Sequence, residues 1–186
     1  MSRIFVTSDL HFGHQREFLW GPRGFTSSEE HDAEVIKRWN ETVAPDDDVY
    51  VLGDLMLNNT EQGMKCMEQL NGKLHLVRGN HDSGARWLLY NSLPNVVEMN
   101  DVLRLKYRKY NFYMSHYPTM TGNLEKESLH QMELNLYGHT HQKSNFYQDI
   151  PFMYHVGLDS HNCYPVLLDD VIKEMKAKVQ ECVNML

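Results

Sequence analysis

Five short apolar runs, each followed at once by a side chain that can bind a metal ion, are the feature that most constrains this sequence. Four of the runs are too short for helices and are predicted to be buried strands: residues 4–7, 49–52, 74–77 and 134–137. The fifth run ends the second strand of a hairpin predicted over 101–107 and 110–115. Ligands bind at the carboxyl ends of strands in open α/β sheets, so the five segments are expected to meet at one edge.

The metal-competent side chains that follow the runs are, in chain order, Asp9, His11, Asp54, Asn80, His116, His139 and His141. Each motif is weak alone, because Asp-x-His or Gly-Asp often occurs in ordinary turns. Their ordered combination is specific. Residues two apart on an extended segment point to the same side, so Asp9 and His11 would face one way together, as would His139 and His141. Imidazoles mixed with carboxylates favour Mn, Fe, Zn or Co over Ca or Mg.

Helical signals lie between the predicted strands. Ser27 and Thr60 are predicted helix caps, residues 84–92 and 124–132 are weaker helical segments, and a C-terminal helix begins near Asp169 or Asp170. Strand–helix alternation followed by a hairpin predicts a mixed α/β fold, not a purely parallel sheet. The chain shows no repeat and no long linker, so we expect one domain over residues 1–186.

Composition narrows the function classes. A formal net charge of −7 counts against a generally basic nucleic-acid surface. Cys66, Cys163 and Cys182 are far apart, so we expect reduced thiols and not a disulfide framework or a zinc ribbon. No apolar run approaches the length of a membrane span, and the first residues do not resemble a signal peptide. We therefore expect a cytoplasmic protein.

The motifs resemble those of the calcineurin-like metallophosphoesterase superfamily, in particular its small, cap-less bacterial and phage members. The family order is D-x-H, G-D, G-N-H-[DE], a lone His and G-H-x-H, which here spans residues 4 to about 160. The resemblance implies an α/β fold of the α+β type, a four-layer α/β/β/α sandwich of two mixed sheets.

The resemblance also implies how the ligands are shared between two divalent transition-metal ions (Mn, Fe, Zn, Co or Ni). Asp9, His11 and His141 would hold the first ion. Asn80, His116 and His139 would hold the second, and Asp54 would bridge both. His81 would act as general acid or stabilise the leaving oxygen, with Asp82 supporting the site from outside the ligand set.

The expected activity is hydrolysis of a phosphodiester or phosphomonoester, by a hydroxide that two metal ions generate near neutral pH. A small phosphate ester or a nucleotide-like molecule is the expected substrate. Two alternatives remain open: an inactive scaffold, as in the retromer subunit of this superfamily, and a nuclease. The complete ligand set counts against the scaffold. The acidic composition counts against a nuclease, although nucleic acid is not excluded as a partner.

Several residues have two interpretations at this stage. His14 and Arg78 are candidate substrate contacts, but a capping histidine and a structural ion pair explain them as well. The aromatic segment 12–25 could cover the cleft or pack on itself. The Asp and Arg that protein serine/threonine phosphatases carry after Gly-Asp are missing after Asp54, which leaves the partner of His81 open. His155 and His161 are predicted to be structural.

Overall fold

A computed structural model describes residues 2–123 and 128–184 of the chain. The first sheet contains β1 (Ile4–Thr7), β2 (Asp48–Leu52), β3 (Lys73–Val77), β4 (Val96–Asn100) and β9 (Val166–Leu167). Its strand order is β4-β3-β2-β1-β9. The first four strands are parallel, and β9 pairs antiparallel with β1.

The second sheet contains β5 (Val102–Tyr107), β6 (Tyr110–Ser115), β7 (Glu133–Tyr137) and β8 (Met153–His155), in that order. β5 and β6 form the predicted hairpin, and β6, β7 and β8 are parallel. Arg108 and Lys109 have φ of 47° and 72°. Two left-handed residues in a two-residue connection fit a turn whose twist matches that of the flanking strands.

The helices are α1 (Glu17–Trp20), α2 (Ser28–Thr42), α3 (Thr60–Met67), α4 (Gly84–Tyr90) and α5 (Leu168–Asn184). Ser27 caps α2 as predicted, with Oγ accepting a hydrogen bond from the Glu30 N–H. The prediction of Thr60 as a cap was wrong, because the Asn59 side chain accepts from the Gln62 N–H instead. Of the helix predicted over 124–132, residues 124–127 lie outside the described residues, and 128–132 form a turn.

Two apolar clusters hold the layers together. Phe5 of β1 packs in a cluster with side chains of α2, α3 and α4, which cover the outer face of the first sheet. The next residue, Val6, points the other way into a cluster shared by both sheets and α5. This alternation is what an extended strand buried on both faces requires. The predicted α/β sandwich of two mixed sheets is confirmed.

The parallel strands place the predicted site at one edge. β1, β2 and β3 run in the same direction, as do β6 and β7, so the residues after them emerge together. Hydrogen bonds join neighbouring strand ends within each sheet at this edge: Ser8 Oγ donates to the Leu52 carbonyl at 2.8 Å in the first sheet, and the Gly138 N–H donates to the His116 carbonyl at 3.0 Å in the second. In the described part of the chain, no helix has the length and apolarity to cross a bilayer.

Candidate metal centre

The seven predicted ligands and His81 lie together at the joined strand ends. Oδ2 of Asp54 lies 3.7 Å from Nε2 of His11 and 3.4 Å from Nε2 of His116. Oδ1 of Asp9 lies 3.9 Å from Nε2 of His11 and 3.8 Å from Nε2 of His141. The chain therefore gathers side chains that are up to 132 residues apart in sequence around one carboxylate-centred cluster.

Asn80 extends this cluster on the side of the second sheet. Its Oδ1 lies 2.9 Å from Nε2 of His116 and 2.9 Å from Nδ1 of His139. Two imidazole nitrogens and one amide oxygen thus face a common point. This is the neighbourhood that the sequence predicted for Asn80, His116 and His139.

Two sets of carboxylate and imidazole groups have ligand atoms within 4.8 Å of one another: Asp9, His11 and His141, and Asp9, Asp54 and His116. The first set is the one predicted for one metal ion. In the second set, Asp9 lies close both to Asp54, the predicted bridging ligand, and to His116, a predicted ligand of the other metal ion. Either set has enough donors of the right type to bind a divalent transition-metal ion.

The backbone at these positions is unusual. Five predicted ligands have positive φ: Asp9 at 59°, His11 at 51°, Asp54 at 55°, His139 at 67° and His141 at 48°. A non-glycine residue in this region costs about 1–3 kcal/mol and persists only where its surroundings enforce it. Such strained residues cluster at functional sites, so their concentration here supports a functional interpretation.

Hydrogen bonds fix the tautomers of two histidines. Nδ1 of His116 lies 2.8 Å from the Leu52 carbonyl, which can only accept, so Nδ1 carries the proton. Nδ1 of His141 likewise donates to Oδ2 of Asp159 at 2.8 Å. With Nδ1 occupied by these hydrogen bonds, each ring turns Nε2 toward the cluster. Metal-binding histidines are oriented in the same way by a partner on the other nitrogen.

Two residues that contribute to the site, Arg23 and Asp159, were missed by the sequence interpretation. The fully buried Arg23 donates to both carboxylate oxygens of Asp159, at 3.1 and 2.8 Å. It also donates to the backbone carbonyl of Asp9 at 2.9 Å. Arg23 thus connects the first motif to the residue that orients His141. No sequence motif marks this pair, because its members are 136 residues apart.

Asp82 supports the site as predicted, by holding two motif loops. Its Oδ2 accepts hydrogen bonds from the N–H groups of Asp54 and Gly79, both at 2.8 Å. Its Oδ1 accepts from the Leu55 N–H at 3.2 Å and from the Tyr90 hydroxyl at 2.9 Å. A buried carboxylate with four donors fixes the backbone around Asp54.

Burial and neighbouring charges shift the pKa values of the cluster residues in different directions. Burial raises the pKa of Asp9, and burial, followed by the charge of Arg23, lowers that of His11 well below its ordinary value. Burial also opposes ionisation of Asp54, but His116, His11 and the His81 N–H outweigh it and lower the pKa to about 2. His11 and Asp54 are thus held in the neutral imidazole and carboxylate forms that metal binding requires, whereas burial of Asp9 favours its protonated form, which a bound cation would reverse.

His81 stands between the cluster and solvent. Its Nε2 lies 3.9 Å from Oδ2 of Asp54, its side chain is 41% exposed, and its N–H donates to Oδ1 of Asp54 at 2.8 Å. Across residues 2–123 and 128–184, the structure shows no hydrogen bond to the His81 ring. The hydrogen bond that positions His81 is therefore made by its backbone N–H and not by its ring.

His14 and Arg78 lie in different clefts beside the cluster. His14 lines a cleft of about 380 Å³ together with His11, His81 and Phe18. Its Nδ1 also accepts from the Arg16 N–H at 3.1 Å, so it both caps a turn and faces the cleft. Arg78 lines a second cleft of about 380 Å³, and its Nε donates to the Asp82 carbonyl at 2.9 Å. The structural ion pair considered for Arg78 is thus replaced by a backbone contact.

The aromatic segment 12–25 divides between core and cleft. Phe12 is completely buried and Phe25 nearly so. Phe18, on α1, is 72% exposed and lines the first cleft. Of the four aromatics in the segment, Phe18 faces the cleft, Phe12 and Phe25 are buried, and Trp20 packs partly buried against the same core cluster.

Comparisons with known proteins give a consistent result. The sequence profile of the calcineurin-like phosphoesterase superfamily domain matches residues 2–157. An uncharacterised protein of Methanocaldococcus jannaschii is 31% identical over 99% of this chain and 98% of its own length. The Gene 66 protein of Mycobacterium phage L5 is 28% identical over 86% of this chain and 88% of its own. The crystal structure of a protein of unknown function from Aquifex aeolicus covers 93% of this chain and 99% of its own, with a TM-score of 0.68 and 19% identity, which shows a shared fold.

Proposed function

The chain belongs to the calcineurin-like phosphoesterase superfamily, and on that basis we propose that it is a metal-dependent enzyme that hydrolyses phosphodiester or phosphomonoester bonds. The observation that carries the proposal is the cluster around Asp54, where Oδ2 lies within 3.9 Å of ring nitrogens of His11, His81 and His116. A scaffold protein has no need to hold these side chains on a strained backbone.

The ligand assignment follows the two sides of the cluster. Asp9, His11 and His141 would hold one divalent ion, Asn80, His116 and His139 the other, and Asp54 would bridge them. When bound, Mn, Fe, Zn, Co or Ni would supply Lewis acidity and positive charge for a phosphate ester and its attacking water. Among these seven side chains only Asp9 and Asp54 are acidic, so the loaded centre would attract an anionic substrate.

His81 is the proposed general acid. Imidazole exchanges protons near neutral pH, and its Nε2 lies beside Asp54 while the ring borders the first cleft. From this position it can give a proton to an oxygen that leaves phosphorus toward that cleft. The hydrogen bond from the His81 backbone N–H to Asp54 fixes the position of His81 relative to the proposed bridging carboxylate.

The substrate is proposed to be a small or nucleotide-like phosphate ester, and the chain is proposed to act as a single cytoplasmic domain. The location rests on Cys66, Cys163 and Cys182, which are free thiols. A nuclease remains the second candidate in principle, but the net charge of −7 does not favour a long polyanion.

The test is metal reconstitution with a matched assay. The chain is stripped by a chelator and reloaded separately with each of the five metals. Bound metal is counted by elemental analysis, and hydrolysis of bis-p-nitrophenyl phosphate and p-nitrophenyl phosphate is followed. We expect two ions per chain and metal-dependent turnover. Neither metal uptake nor hydrolysis would instead favour the scaffold.

A variant pair tests the bridging role. Asp54→Asn should lose binding of the second ion, because the bridging carboxylate charge is removed. Asp46→Asn, at an exposed position outside the cluster, should bind metal as the parent chain does. Two retained ions in Asp54→Asn would refute the bridge while leaving the activity itself open to measurement.

A further inference from the structure

The metal centre opens into two clefts of equal size. Each has a volume of about 380 Å³, within the range of small-molecule sites. His11, His81 and His141 border the first cleft, and Asn80 and His116 border the second. A phosphate held at Asp54 therefore has room for a substituent on both sides. A monoester has only one substituent and would leave one cleft unused.

The two clefts differ in chemistry. The first has an apolar wall made by Phe18, Leu19, Pro22 and Leu57. The second combines hydrogen-bonding side chains, among them Arg78, Ser115 and Thr119, with the hydroxyl-bearing rings of Tyr113 and Tyr117. An apolar ring fits the first cleft, and a hydroxyl-bearing group fits the second.

Phe18 is the notable member of the apolar wall, because an aromatic ring that is 72% exposed loses the benefit of burial. Its position is nevertheless fixed. The neighbouring Leu19 is buried and anchors α1, and the His14 ring meets the Phe18 ring edge-on at 5.2 Å. The His14 ring is in turn 5.9 Å from that of His11. A short series of ring contacts thus connects the metal centre to Phe18.

We infer that the substrate is a phosphodiester whose leaving group carries a flat aromatic ring, which stacks on Phe18 in the first cleft, while the retained ester group lies in the second. The inference rests on the proposed phosphoesterase function. It assigns the leaving group to the first cleft because His81, the proposed proton donor, borders that cleft.

The reaction is a balanced hydrolysis. The oxygen of water forms the new bond to phosphorus, and the bond from phosphorus to the oxygen of the leaving group breaks. That oxygen takes the proton from His81, and the proton released by water restores His81. The products are an alcohol that carries the aromatic ring in the first cleft and a phosphomonoester in the second.

Two measurements on the metal-loaded full chain test this. First, bis-p-nitrophenyl phosphate and p-nitrophenyl phosphate share a leaving group and differ in the second substituent. A kcat/KM at least tenfold higher for the diester is expected. Second, phenylphosphonate and methylphosphonate are compared as competitive inhibitors. Stacking should make the phenyl compound better by on the order of fivefold to tenfold.

Variants assign the preference to Phe18. Phe18→Ala should bring the two inhibitors to nearly equal strength, while the metal content stays the same. Phe18→Trp should keep the preference, and Phe18→Leu, which is apolar but not flat, should keep only part of it. Leu88→Ala, an exposed apolar position on α4, is the matched control and should change nothing.

A further pair separates two sources of the ring. Adenosine 5′-monophosphate should inhibit better than ribose 5-phosphate if a nucleobase stacks on Phe18, whereas equal inhibition with a retained phenyl preference points to a simple aryl group. An active enzyme with no diester preference, or with an unaltered phenyl preference in Phe18→Ala, would overturn the inference alone. A chain without metal uptake and turnover would overturn the proposed function as well.

Discussion

Nδ1 of His141 donates a 2.8 Å hydrogen bond to Oδ2 of Asp159, and the same oxygen accepts from the buried guanidinium of Arg23 at 2.8 Å. The carboxylate of Asp159 therefore serves both as the ion partner of Arg23 and as the group that orients the His141 ring. The contacts hold the pKa of Asp159 well below its usual range despite burial. The geometry makes Asp159 and Arg23 positioning residues for a proposed metal ligand.

Asp159→Asn should therefore weaken metal binding. The amide still accepts hydrogen bonds, but it lacks the charge that raises the basicity of the His141 ring. Loss of such an outer partner typically costs 10- to 100-fold in metal affinity, and we expect a decrease in that range. Competition with a chelator of known affinity measures it, and Asp46→Asn is the control. An affinity equal to that of the parent would remove Asp159 from the site.

His81→Ala should retain both metal ions and lower turnover by roughly 10²- to 10⁴-fold, because a proton donor is lost and no proposed ligand is changed. The loss should be greater for a diester with a poorly departing alkoxide than for one that releases p-nitrophenolate. Elemental analysis and kcat for the two substrates provide the test. Unchanged turnover with both would exclude His81 from the mechanism, and His130→Ala, at an exposed ring, controls for loss of a histidine.

Gly138 shows why a glycine precedes the last two predicted ligands. A Cβ at this position would overlap Ser8 Oγ and Asp9 Oδ2. Gly138→Ala should lower the free energy of unfolding by about 1–3 kcal/mol, since the buried neighbours must shift, and should reduce metal content by moving Asp9. Gly84→Ala is the matched control, because the nearest atom to its Cβ would be 3.9 Å away. Denaturant unfolding that gives both variants equal stability would contradict this account.

The sequence was most informative where local pattern and chemistry coincide. Asp9 and Asp54 follow apolar strands directly, so strand prediction and residue type located them together. Asp159 gave no such signal. Its role depends on Arg23, which is distant in sequence. Ion pairs formed only by tertiary packing leave no periodic trace in a sequence.

Backbone detail was also beyond the sequence. The left-handed conformation of His11 and His141 is imposed by neighbours, because no local preference places five such residues at one site. Strand β4 was missed because its alternation is weak: Val97 and Glu98 are both exposed at the edge of the sheet. Asn59 displaced the predicted cap at Thr60, since either side chain can cap and their competition is decided by the chain that precedes the helix.

His155 is completely buried and makes the stability of the fold depend on pH. Burial, followed by the charge of His161, lowers its pKa from 6.5 to about 3. The unfolded chain therefore binds a proton at His155 more readily than the folded chain does. The stabilisation is fully present above pH 6.5 and is lost as the pH falls toward about 3.

Between pH 7 and pH 5 this single residue should cost about 2 kcal/mol of unfolding free energy. His155→Asn keeps a polar group near Ser160 Oγ, which lies 2.8 Å from Nδ1, but it cannot titrate. The substitution itself can lower the free energy of unfolding at pH 7, so the quantity to compare is the change in that free energy between pH 7 and pH 5. Urea unfolding of the metal-free chain should show that the free energy of unfolding decreases less on acidification in His155→Asn than in the parent. An identical pH dependence in parent and His155→Asn would show that protonation of His155 does not drive the acid destabilisation.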